Sequence, residues 1–96
     1  ALSMAAAQAQ LDTVAIALQQ MQAGGMTPHA LSALARTQDA LLATLPPRYG
    51  DVLLQLLDRL ESSALFSEES CSFSQTDLLA NLQVWVDKAR AQLDAA

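Results

Sequence analysis

One histidine, His29, and one cysteine, Cys71, are the side chains of this sequence whose chemistry is most readily turned to catalysis at neutral pH. An imidazole would serve as general base or phosphoryl acceptor, and a thiolate as nucleophile. Neither stands in a catalytic constellation. Cys71 has Ser70, Ser72 and the acids Glu68 and Glu69 around it, and carboxylates beside a thiol oppose the thiolate. It reads as a structural thiol. A metal would need paired ligands such as Cys-x-x-Cys, His-x-x-x-His or the Glu-x-x-His of diiron bundles, and none of these spacings occurs. We therefore expect no catalytic residue, no cofactor and no metal.

The stretch His29-Ala30-Leu31-Ser32 resembles the phosphoacceptor region of histidine phosphotransfer domains, which are small acidic four-helix bundles. The resemblance implies a signalling domain in which His29 accepts a phosphoryl group, and this is the alternative to the function argued below. It covers these few residues only. Ser32 stands where that family usually carries Lys, Ala33 where a glycine often follows, and His29 comes directly after Pro28 instead of in mid-helix. The nearest cation is Arg36, two turns on. An acyl carrier protein shares this size and acidity but requires Asp-Ser-Leu at a helix start, and no Asp-Ser occurs. Leu53-Leu54-Gln55-Leu56-Leu57 fits a Leu-x-x-Leu-Leu docking pattern, which in so leucine-rich a chain reads as core.

The elements that hold these residues follow from composition and period. The chain has 96 residues, of which 52% are apolar, with 19 Ala and 18 Leu against one Ile, four Val, three Gly and three Pro. Such a composition favours helix over sheet at nearly every position and excludes disorder, collagen and a disulfide scaffold. Ten acids against five bases give a net charge of −5. Nucleic acid and anionic membrane surfaces are thereby disfavoured as partners, since both are bound through clustered Lys and Arg. No apolar run approaches the roughly 20 residues of a bilayer span, and no signal peptide is evident, so we expect a cytoplasmic protein. Met4 reads as its natural start, with Ala1-Leu2-Ser3 a leftover of expression.

Met4, Ala7, Leu11, Val14, Leu18 and Met21 recur at steps of three and four, which predicts a helix over about 3–23 that Gly24-Gly25 stops. Thr27-Pro28 is a cap followed by a first-turn proline. From it a helix over 28–44 runs on a stripe of Leu31, Leu34, Leu41, Leu42 and Leu45, with Gln38 on the same line, until Pro46-Pro47 ends it. A third helix over 47–64 buries Tyr49, Leu53, Leu56, Leu57 and Leu60. A serine-rich connection over 62–74 follows, in which Leu65, Phe66 and Phe73 anchor the chain. Ser74-Gln75-Thr76-Asp77 then opens a helix over 75–94 whose stripe holds Leu79, Leu82, Val86, Ala89 and Leu93, widened by Leu78 and Trp85. Four helices of matched length with short connections make an all-α, up-down antiparallel four-helix bundle, one domain over 1–96.

Four apolar residues are left over. Ile16 lies about 160° from the centre of its stripe, Leu54 and Leu65 flank theirs by about 100–120°, and Val84 falls opposite Leu82 and Val86. Ile16, Leu54, Leu65 and Val84 are thus the candidate partner-binding residues. Asp58, Glu61, Glu68, Glu69 and Asp77 face only Arg59 over residues 58–77 and make an acidic flank. The expected function is a non-enzymatic protein-protein interaction module that self-associates, as a homodimer, or binds another protein. In composition it is similar to secretion chaperones and small regulatory binding proteins.

Overall fold

A computed structural model describes the backbone of residues 4–65 and 71–95, and the side chains of residues 4–62 and 76–95. The described residues are all-α, without strands: α1 is Met4–Gln22, α2 Pro28–Arg36, α3 Asp39–Thr44, α4 Pro47–Leu65 and α5 Cys71–Ala95. The helices pack into a body of 45 × 24 × 19 Å.

Local signals account for most of the boundaries. α1 ends in a Schellman motif: Gly24 takes φ +86°, Gly25 N–H donates to the Gln20 carbonyl at 2.7 Å, and Gly24 N–H donates to the Met21 carbonyl at 3.0 Å. A side chain at Gly24 would be strained by that left-handed backbone. Thr27 caps α2, its Oγ1 accepting from Ala30 N–H at 3.1 Å, with Pro28 as first helical residue. Leu45 is extended, with ψ 156°, as the residue before Pro46 must be, and Pro47 opens α4.

Two expectations are corrected. The helix over 28–44 is two helices, because side chains at Thr37 and Gln38 compete with the backbone for the carbonyl of Leu34. Thr37 Oγ1 donates to it at 2.7 Å and Gln38 Nε2 at 2.8 Å. The backbone N–H of Gln38 is left with the Ala35 carbonyl at 3.4 Å instead of the Leu34 carbonyl that a continuous helix would give it. The last helix is already helical at Cys71, ahead of the start at 75, so Ser74 lies inside α5. No Gly or Pro interrupts residues 71–75, so nothing in the chain forces the helix to wait for that cap.

The break at 37–38 changes how the helices meet. α2 packs against α4 and α1, whereas α3 packs against α1 and α4, and α5 lies against both α1 and α4. Polar contacts between partly exposed side chains mark the directions. Arg90 Nη2 to Asp12 Oδ1 at 2.8 Å runs α5 antiparallel to α1, with Gln8 reaching Asp94, and Arg36 Nη2 to Asp58 Oδ1 at 2.8 Å ties α2 to α4. α3 is held by α1. Its N-cap residue, Gln38, makes no side-chain capping bond, and Gln10 Oε1 on α1 accepts from Leu41 N–H instead, at 2.9 Å. Leu11, Leu18, Leu31, Leu41, Leu53, Leu57 and Leu60 are fully buried. Where α1, α2, α4 and α5 converge, a void of only about 10 Å³ remains, lined by Val14, Leu18, Leu31, Leu53, Leu57 and Val86 among others. That void is about the size of one water-sized sphere and too small for a larger molecule.

Candidate functional site

The face that departs from ordinary bundle surface is the outer seam of α4 and α5. Arg48, Val52 and Leu56 recur every four residues and so share one line of α4. Asn81, Val84 and Lys88 recur at steps of three and four along α5, with Trp85 beside them. The antiparallel pair leaves a groove of about 430 Å³ between these lines, with Tyr49 completing the lining. Leu56 and Trp85 form its buried floor, Trp85 with 4% of its surface exposed. Val52 and Val84 stand on its walls with 46% and 49% exposed. Among the described residues no helix covers them, and both valines stay open; α1 packs on α5 and α2 on α4.

An aromatic brace shapes the floor. Trp85 Nε1–H donates to the Tyr49 carbonyl at 2.9 Å, and the two rings meet edge to face with centroids 6.5 Å apart. The Arg48 guanidinium carbon sits 5.7 Å from the Tyr49 ring centre, a cation–π contact that holds the arginine at the rim. The chain has five bases. Arg36 and Arg90 are spent on Asp58 and Asp12, whereas Arg48 and Lys88 line the groove with no carboxylate in ion-pair range among the described residues. The lining contains no acid. Arg48 also occupies the first turn of α4, where the helix macrodipole disfavours a cation by a few tenths of a kcal/mol, roughly. The groove is therefore a positive, apolar-walled strip on a protein of net charge −5.

Of the candidate partner-binding residues with described side chains, Val84 alone lies in this groove. Ile16, 54% exposed, is on α1, which does not border it. Leu54, 38% exposed, lies one turn before Asp58, which pairs with Arg36 of α2, and so faces the other flank of α4. The side chain of Leu65 lies outside the described residues, as do those of Phe66, Glu68, Glu69 and Cys71. Among the described side chains, Ile16 and Leu54 thus do not join Val84 in the groove. Val52 is not among the leftover residues: it borders the α4 stripe, four residues before Leu56 and three after Tyr49, where period alone does not separate core from surface. Its signal was available in the width of that stripe, which apolar residues extend on both sides, to Val52 and to Leu54.

His29 projects from the first turn of α2 with its side chain 87% exposed, and its Nδ1 lies 3.9 Å from Glu61 Oε2. A phosphoryl group there would meet a carboxylate, and Arg36 is engaged with Asp58 and with Ser32 Oγ at 3.1 Å. The electrostatics oppose phosphoryl transfer. No group of three metal-ligating side chains and no helix long and apolar enough to cross a membrane occurs among the described residues. In comparisons with known proteins, the chain matches no family model, no curated protein and no solved structure.

Proposed function

We propose that this chain is a non-enzymatic protein-interaction module, a small helical adaptor that docks a partner protein in the α4/α5 groove. α2 and α3 act in it as one bent leg of an up-down four-legged bundle, and α1 backs α5, which leaves the α4/α5 seam free for a third helix. The observation that carries this reading is the pair Val52 and Val84, half exposed on facing walls above a buried Trp85. Covering the exposed half of each valine is worth about 1 kcal/mol, enough to hold a short helix reversibly when the floor adds its contacts. A partner helix fits better than a second copy. A standard interface takes about 800 Å² from each partner, roughly a seventh of this protein's 5554 Å². Ile16 and Leu54 do not line the groove that holds Val84, so the exposed apolar residues do not add to its area.

The test is selection of displayed random peptides against the wild-type protein, with Val52→Asp and Val84→Asp as counter-targets. Both positions are exposed, so the variants keep their helical content by circular dichroism. Enriched peptides that bind wild type and lose binding to both variants support docking in the groove. Enrichment indifferent to both substitutions refutes it.

A further inference from the structure

We infer that the groove selects for acid: its occupant is an amphipathic helix that carries carboxylates beside its apolar stripe, an inference that rests on the docking reading above. Arg48 and Lys88 are the two cations of the lining, and neither has an acidic partner among the described residues. They also lie toward one end. α4 and α5 are antiparallel, so Arg48 at the start of the α4 line meets Lys88 at the end of the α5 line, whereas Leu56 and Asn81 mark the other end.

A ligand in this groove is read twice along its length. Leu56, Val52, Val84 and Trp85 take apolar side chains, and the basic end takes a negative charge one turn beyond them. The lining spans residues 48–56 and 81–88, which at 1.5 Å per residue is roughly 10–12 Å, or about two turns of a docked helix. Apolar residues at i, i+3 and i+4 with an acid at i+7 or i+8 match that length.

The local field is opposite in sign to the field of the whole. A chain of net charge −5 draws basic peptides at long range. Preference for an acidic one can arise only where cations are concentrated, and the described groove is such a place. This makes the sign of the preference diagnostic.

Trp85, the single tryptophan of the chain, lies in the floor and reports occupancy by its emission. Two capped helical peptides of about four turns, sharing one leucine stripe and carrying either glutamate or lysine beside it, are titrated into the protein. The glutamate peptide should bind about tenfold tighter than the lysine peptide at low salt, the product of two rim ion pairs of about threefold each. The advantage should shrink as salt rises toward about 0.5 M. The double substitution Arg48→Gln with Lys88→Gln should erase the advantage and spare the apolar component, and Val84→Asp should abolish binding of both peptides.

Equal or tighter binding of the lysine peptide that is still lost in Val84→Asp overturns the acid preference and leaves the groove standing as a docking site. No emission change with either peptide up to about 1 mM, a bound of only some 4 kcal/mol, overturns both. A change in Trp85 emission on raising the protein concentration alone, with a doubled mass in light scattering, assigns the groove to a second copy and overturns the inference.

Discussion

Replacing Gln10 with Met removes the acceptor that α1 offers to the start of α3. Leu41 is the third residue of α3 and is fully buried, and its backbone N–H belongs to the first turn, where no intrahelical carbonyl is in reach. The N-cap side chain would ordinarily serve it, but the amide of Gln38 donates to the Leu34 carbonyl and makes no capping bond. Gln10 Oε1 takes that place at 2.9 Å. A helix cap is worth about 1 kcal/mol, and a buried donor left without a partner costs about 1–3 kcal/mol. Methionine keeps the length of the side chain, so packing changes little, and the expected loss is about 1.5 kcal/mol. For a domain of 96 residues that is a sizeable part of a total of roughly 5–14 kcal/mol. It should lower Tm by about 6–12 °C. Urea unfolding followed by circular dichroism measures the loss, and amide hydrogen exchange at Leu41 locates it. Gln10→Glu retains an acceptor and places negative charge at a helix start, and should cost less than about 0.5 kcal/mol. If Gln10→Met unfolds within about 0.3 kcal/mol of wild type and Leu41 exchanges no faster, the long-range cap contributes nothing.

Three further outcomes follow from single sites. Gly24→Ala should destabilise by about 1 kcal/mol because of its φ of +86°, whereas Gly25→Ala, whose added Cβ would meet only the Gln20 carbonyl oxygen at 3.5 Å, should be neutral or slightly stabilising; chemical denaturation of the pair tests the order, and a reversed order contradicts the Schellman assignment. Trp85→Phe removes the bond to the Tyr49 carbonyl and part of the floor, and should cost about 2 kcal/mol in thermal unfolding. Incubation with acetyl phosphate should leave the intact mass of the protein unchanged, and an acid-labile adduct that disappears in His29→Ala would reverse the argument from Glu61.

Much of the fold was legible because its signals are local. The stop at Gly24-Gly25, the cap at Thr27 with Pro28 behind it, and the break at Pro46-Pro47 each act within one turn of chain, and the helices begin or end at them. The division of α2 from α3 was not legible in the same way. Gln38 continues the leucine line from Leu34 to Leu41, and it is buried there; period alone gives no reason to bend the chain at it. Its amide and the Thr37 hydroxyl do so by taking a backbone carbonyl, and the loss at the new helix start is offset by Gln10, which is distant in sequence. The start of α5 erred in the other direction, because a good cap at Ser74 states a preference and not an obligation. At the candidate site the surplus of apolar residues pointed to a surface and identified Val84. It did not identify Val52.

By itself the sequence determined that this protein is helical, where most of its helices begin and end, and which stripe of each turns inward, because propensity, capping and period act over a few residues. Tertiary structure decided which stripe edges stay uncovered. Val52 and Leu54 flank the same stripe of α4, but one borders the open seam with α5 and the other the side tied to α2 by Arg36 and Asp58. Arg48 and Lys88 are forty residues apart in the chain and become the two cations of one groove only because α4 and α5 run antiparallel. Such a meeting depends on which helix packs beside which, and no periodicity within a single helix encodes it.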